Sequence, residues 1–379
     1  MKKALVSLLV ITLAMTMVFA AGAKEEGKTG LVDVRLGIHA NEGGTPLAAV
    51  AAEKGFFEKH GINPIFTIVE SGPAEMTAMR ADNRTLDIGY IGAGVAWNPI
   101  DGAGNQLSFV YLDCLSNAEM LVAKKGVFKD ANGDGKYDFE EIYQGLKGKK
   151  VYIEVGTTPG GWFKTLLNLI NEGRPVNQQL WISSETASYI AGYKAPNTNA
   201  ANRVEVVNTL NSNLPAGMAS AAGGMDIVVG FSPATSTIIR TNPNTELVAT
   251  TVSHFPPSAS FPSTWVASNK WMEENPEVAQ AFINALYEAS VWRAENIDEA
   301  MRIGERLSQK PEGTFDPFNL VAPSKKDLQA WFANKDGAGY HYLKGLYNVA
   351  KGNVPAGNKV KSFEEAFNDT FLLKAIATL

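Results

Sequence analysis

Asp130, Asn132 and Asp134 occupy alternate positions of one short loop, and Gly135, Lys136, Asp138 and Glu141 follow in turn. Counted from Asp130, the loop has side-chain oxygens at positions one, three and five and a glycine at six, where the chain must turn sharply. Lys136 offers a backbone carbonyl at seven, Asp138 acts at nine through water, and Glu141 chelates with both oxygens at twelve. This is the spacing of an EF-hand calcium loop, and a hard divalent cation suits it because calcium takes six to eight oxygens in irregular geometry. The bland alternative is a solvated Asp/Gly turn. Five side-chain oxygens donors and the glycine in register weigh toward Ca2+. Residues 120–128 read as strand and turn, and only Phe139–Leu146 reads as a helix beside the loop. A structural clip is therefore expected, not a sensor.

Catalytic constellations are sparse. The four histidines are His39, His60, His254 and His341, with no H-E-x-x-H spacing among them. No G-x-S-x-G elbow occurs, and Gly156 to Gly161 lacks the Lys-Ser/Thr that a phosphate loop needs. Cys114 is the only cysteine, which excludes an internal disulfide, a thiolate zinc knuckle and an iron–sulfur cluster. An enzyme would have to draw its base from His39, His254, Glu42 or Glu70. Binding without catalysis is the expectation.

The elements that would position such residues alternate in type. Val32–Ile38 and Ile62 to Val69 read as strands, with a helix over Leu47 to Lys54 between them. A helix over Ala74 to Ala81 leads to a strand over Leu86 to Ile91, and the pattern restarts with a strand over 149–155 and a helix from Trp162 to Asn171. This alternation predicts an α/β fold with a largely parallel sheet. A faint repeat supports two similar units: helix, Leu86-Asp87-Ile88-Gly89, small-residue turn, and again helix, Met225-Asp226-Ile227, then Phe231-Ser232-Pro233. Glu277 to Arg293 carries apolar residues at helical spacing, and Trp271, Trp292 and Trp331 read as core.

The chain of 379 residues has room for two lobes, and 45% hydrophobic against 19% charged residues excludes a disordered chain. A net charge of -5 lacks the basic surplus that nucleic acid requires. Met1-Lys2-Lys3, an uncharged run over residues 4–20, and Ala21-Gly22-Ala23 read as a signal peptide over 1–23. No cysteine stands near the cleavage point, so no lipid anchor is expected, and the mature protein is expected in a periplasm.

Four stretches carry a family resemblance. They are Ala52 through Ile62 (AEKGFFEKHGI), Met79 through Ile91 (MRADNRTLDIGYI), Leu146 through Val151 (LKGKKV) and Asn275-Pro276-Glu277. In this order the chain resembles the periplasmic substrate-binding proteins of ABC importers, in the nitrate, sulfonate and taurine branch that also includes thiamine-pyrimidine-precursor-like members. Residues 177–202 look like an insertion, and a related enzyme that makes the thiamine pyrimidine uses a cysteine-rich motif that Cys114 alone cannot reproduce. The resemblance implies a type II periplasmic-binding-protein-like α/β fold, with two lobes around a hinged ligand cleft. Lobe 1 would be residues 31–112 and 262–379, and lobe 2 residues 113–261. It further implies a monomer that delivers a small molecule to importer membrane subunits.

Ligand would then meet loops at strand ends: Asn41, Glu42 and Thr45; Ser71 and Gly72; Gly92, Gly94 and Trp97; Asn117; Thr157, Thr158 and Trp162; Phe231 and Ser232. Several of these loops open helices, whose free N–H groups favour an anionic or strongly polar group. No arginine lies in them, which argues against a bidentate clamp. Trp97 and Trp162 are expected to grip an organic body from opposite lobes. A sulfonate or other anion-bearing organic molecule is the first expectation, and a pyrimidine-like or cationic ligand is the alternative that Glu42 and Glu70 keep open.

Overall fold

The computed structural model describes residues 30–379 except 70–71, 82–83, 156, 184–194, 221–223, 257–258 and the side chain of 353. The expected signal peptide, Ser71, Glu70 and Gly156 lie outside the described residues. Two six-stranded sheets organise the rest. The first runs β12-β4-β11-β3-β1-β2 and the second β10-β5-β9-β6-β8-β7. The first contains β1 (Val32–Ile38), β2 (Ile62–Ile68), β3 (Ile88–Ile91), β4 (Leu107–Ser116), β11 (Pro262–Ser268) and β12 (Leu320–Val321). The second contains β5 (Glu119–Lys124), β6 (Lys150–Ile153), β7 (Trp181–Ile182), β8 (Arg203–Asn208), β9 (Ile227–Phe231) and β10 (Thr245–Thr250).

The alternation that marks β1 in sequence has a direct consequence in packing. Val34, Leu36 and Ile38 share one face and are buried in the core of the first sheet, while Val32 and Asp33 at the strand's start are exposed. β1 pairs in parallel with β2 and β3, and β6 pairs in parallel with β8 and β9. In each sheet the third strand of this parallel set is flanked by an antiparallel one, β11 beside β3 and β5 beside β9. β3 and β9 thus hold equivalent places in the two sheets, and they carry the two copies of the Asp-Ile repeat noted in the sequence. The chain passes from the first sheet to the second between Ser116 and Glu119, and returns between Thr250 and Pro262.

Each sheet has its own apolar core. The long helix Pro276–Glu295 buries Ala279, Phe282, Ile283 and Leu286 against the first sheet. It is also tied by charge: Arg293 donates to Asp113 Oδ1 at 2.6 Å and to the Asp113 carbonyl at 2.7 Å, while Trp265 Nε1 donates to Asp113 Oδ2 at 2.7 Å. Both charges are fully buried, so each needs the other. The expected insertion at 177–202 contributes the edge strand β7, paired in parallel with β8, and the side chains of Asn197, Asn199 and Asn202 knit its flanks by donating to the Gln179 and Asn177 carbonyls. Among the described residues, no helix is long and apolar enough to cross a membrane.

Candidate functional site

A cavity of about 630 Å³ opens between the sheets, at the carboxyl ends of β1, β3, β6 and β9. That is where open α/β sheets present helix starts and loop backbones to a ligand. From the first sheet come His39 to Gly43, Gly72 and Pro73, Tyr90, Gly92 to Val95, Cys114 and Ser116. From the second come Ala118, Glu119, Glu154, Thr157, Thr158 and Phe231 to Pro233, with Phe261, Ser263, Asn319 and Leu320 closing the junction.

The loop after β1 is held down on Tyr90. A side chain at Gly44 would lie 2.8 Å from Tyr90 Cδ1 and 2.9 Å from the His39 carbonyl, so only glycine allows this close approach. Tyr90 in turn donates to Ser263 Oγ at 2.7 Å. Held this way, Glu42 is buried, and its Oε1 accepts from Asn319 Nδ2 at 2.5 Å while Oε2 has no hydrogen-bond partner. Asn319 also donates to Ser232 and Ser236, which joins the first-sheet loop to the end of β9. Burial raises the Glu42 carboxyl above the ordinary range, opposed by the neighbouring Ser232 and Asn319.

Glu119 opens β5 on the opposite side. Burial pushes its carboxyl up to about 7, opposed by the Ser116 hydroxyl that donates to Oε2 at 2.8 Å and reinforced by the nearby Glu42. Behind His39, Glu75 is buried with Oε2 2.8 Å from His39 Nε2, and burial raises its carboxyl too. Cys114 is buried, and burial first, then the neighbouring Asp113, hold its thiol well above the ordinary value, so it is no ready nucleophile. Among the described lining residues the charged or titratable groups on acid side are Glu42, Glu119 and Glu154; none is a lysine or arginine.

Of the residues expected from sequence, Asn41, Glu42, Gly72, Gly92, Gly94, Thr157, Thr158, Phe231 and Ser232 line this cavity. The others do not. Thr45 is buried, with its hydroxyl donated to the His39 carbonyl at 2.5 Å. Asn117 is buried at the crossing, donating to the Phe318 carbonyl and accepting from the Val252 N–H. Trp97 packs against the first core with Arg80 above its ring. Trp162 is fully buried, stacked on Phe255 with ring centroids 5.1 Å apart and donating to Thr251 Oγ1 at 2.9 Å. The expected pair of gripping tryptophans is therefore corrected: the helix there begins at Thr158, not Trp162, so Trp162 sits in its second turn and faces the core. His254 is also away from the cavity, bonded to the Tyr137 carbonyl.

Sequence reasoning named His39 only as a candidate base, and missed Tyr90, Glu119, Glu154, Phe261 and Asn319 as cavity residues. His39 follows β1 directly and Tyr90 lies within β3, so a strand-end search extended by one residue would have found both. Asn319 lies 277 residues from Glu42, and no local signal connects them.

The calcium-type loop lies on the second unit. Gly133 and Gly135 take φ of 75° and 76°, and Asp138 caps the helix Phe139–Leu146 with Glu141 in a reciprocal capping box. Asp130 accepts from the Gly133 and Gly135 N–H groups, Asn132 from Asp134, and Asp134 from Lys136. Glu141 accepts from Ala131 at 2.6 Å and Asp138 at 2.9 Å. The backbone path suits the motif. The carboxylates themselves are turned to amides, and among the described residues no three His, Cys, Asp or Glu side chains are gathered tightly enough to hold a metal ion.

Residues 27–307 match the NMT1-like family. The chain belongs to that family. A Brucella abortus protein with a provisional name as a binding protein is 25% identical over 319 residues, covering 84% of this chain and 85% of its own. The periplasmic sulfonate-binding protein SsuA from Methylobacillus flagellatus superposes with a TM-score of 0.62 at 19% identity, covering 92% of this chain and 94% of that one. The periplasmic nitrate-binding protein NrtA from Synechocystis gives 0.57 at 14%, covering 92% and 89%. The desulfurization enzyme DSZB gives 0.56 at 11%, covering 91% and 99%. At these identities the likeness is one of fold: this NMT1-like chain has the two-lobed α/β architecture of periplasmic binding proteins, and the same frame also carries an enzyme.

Proposed function

We propose that this NMT1-like chain is the solute-binding component of an ABC importer. It captures a small polar organic molecule between its lobes and hands it to the importer's membrane subunits. The observation that carries the reading is the cavity itself, built jointly by both sheets and large enough for a metabolite of modest size. Lobe 1 comprises the first sheet and the C-terminal helices, lobe 2 the second sheet, and the two crossings at 116–119 and 250–262 act as the hinge. Closure around ligand would let the importer distinguish loaded from empty protein. The protein works as a periplasmic monomer after loss of residues 1–23.

A non-catalytic role fits the cavity chemistry. The cavity's thiol, Cys114, is held protonated by burial and is no ready nucleophile. To test the reading, the freshly purified protein is denatured and the released small molecules are identified by mass spectrometry. One molecule in near-stoichiometric amount supports solute capture. Turnover of added compounds with no retained molecule would show a stand-alone enzyme instead, the second reading that the DSZB likeness keeps on the table.

We further propose a structural Ca2+ at residues 130–141. Asp130, Asn132, Asp134, Asp138 and Glu141 would supply side-chain oxygens and Lys136 its carbonyl. The ion would neutralise four carboxylates on one loop and hold the start of the following helix. The support is the ligand order and the two left-handed glycines; the carboxylates would have to turn inward from their amide partners.

A further inference from the structure

We infer that the solute is a small organic cation whose charged nitrogen is held between Glu42 on the first lobe and Glu119 on the second. This rests on the solute-binding reading and deepens it. Glu42 lines the cavity, is buried, and has one carboxylate oxygen with no hydrogen-bond partner. An acceptor left unpaired in a buried site costs stability until a donor reaches it. Asn319 Oδ1, beside it, is a second buried acceptor without a partner. Asn319 Oδ1 is an acceptor, and Glu42 becomes one when ionised, so both orphaned groups take donors from a ligand that carries positive charge.

Charge points the same way. Glu42, Glu119 and Glu154 face the cavity, and no lysine or arginine does so among the described residues. Helix starts border it and could offer N–H groups to an anion. Three of those starts, however, place proline at Pro73, Pro159 and Pro233, each of which removes one free N–H from the first turn or the residue before it. An anion would therefore meet few donors and three carboxyl groups. A cation would meet the reverse, and Tyr90, Phe231 and Phe261 would supply flat apolar surface for its body. Because Glu42 and Glu119 come from different lobes and Glu42 raises the proton affinity of Glu119, a cation between them replaces repulsion by attraction across the cleft.

The test uses the whole mature protein, unfolded and refolded to strip any carried molecule. A bacterial metabolite extract is separated by ion exchange into cationic, neutral and anionic pools, and each pool is assayed for a bound molecule by thermal shift and mass spectrometry. Benzamidine and benzenesulfonate, which share a ring and differ in head-group charge, are titrated alongside. The expected result is a ligand from the cationic pool and tighter binding of benzamidine than of benzenesulfonate. Glu42→Gln and Glu119→Gln should each weaken the cationic ligand by roughly 30-fold or more, as loss of one buried charge partner does. A ligand found in the neutral or anionic pool overturns the charge assignment and leaves solute capture standing. No ligand in any pool overturns both. Unchanged affinity in a folded Glu119→Gln protein overturns the placement of the head group, even if Glu42→Gln does not fold.

Discussion

Glu119→Gln gives the sharpest test of how the cavity stores charge. Burial lifts this carboxyl from its ordinary 4.5 to about 7 in the folded chain. A folded-state value above the unfolded one means that Glu119 weakens folding as pH rises. Its contribution is harmless below pH 4.5, falls progressively toward pH 7, and is constant above. The full cost is about 3 kcal/mol, from 1.36 kcal/mol for each tenfold difference in proton affinity. Glutamine removes that cost while its side-chain oxygen still accepts from Ser116 Oγ, now 2.8 Å from Glu119 Oε2. The variant should therefore match the parent near pH 4.5 and be more stable by up to about 3 kcal/mol at pH 8. Urea unfolding of ligand-stripped protein at a series of pH values measures the difference directly. Glu42 and Tyr90 in the cavity wall are close enough to interact with Glu119. Glu42 is coupled to Glu119 by charge, so the difference curve carries that coupling along with the titration of Glu119. Parallel stability curves for parent and variant across this range would refute the argument.

Two further outcomes follow from placement. Trp162→Ala should cost about 3–5 kcal/mol in urea unfolding, because a fully buried indole and its bond to Thr251 are lost; a stable variant with impaired binding would restore Trp162 to the cleft. If calcium binds at 130–141, saturation at 100 times its dissociation constant should stabilise the protein by about 2.7 kcal/mol. Chelator should then lower the melting temperature and Glu141→Gln should abolish that response, whereas no effect of either would leave the loop a capped turn.

The fold was legible where hydrophobic period alone decides the element. β1 spans the residues read as a strand, Val32–Ile38, and the helix after the calcium-type loop spans Phe139–Leu146 as read. Boundaries set by tertiary packing were not. Gly160 and Gly161 argue locally for a loop, since glycine disfavours helix. The helix nevertheless starts at Thr158, because Pro159 suits its first turn and the following face buries Trp162, Phe163, Leu166 and Ile170. That four-residue difference decides whether Trp162 meets ligand or core. The site was legible in part for a related reason. Loops at strand ends can be named from sequence, but which of their side chains turn inward depends on partners far along the chain, such as Asn319 on Glu42.

Charge is the property least tied to the frame. The parallel strands fix where the cavity lies, at their carboxyl ends. What enters is set by a few side chains at those strand ends. A fold built to present helix starts would, left to its backbone, favour anions. Here prolines thin out the N–H donors, and carboxyl groups from both lobes face the cavity. Glu42 is buried without a full set of partners, which costs free energy in the empty protein. Glu119 adds a second cost that grows with pH. Neither cost serves packing, since glutamine or leucine would fill similar space without it. Both are relieved by one event, a positively charged donor arriving between the lobes. An arrangement strained when open and satisfied when closed on its ligand is what a capture protein needs, because the relief itself becomes part of the binding energy.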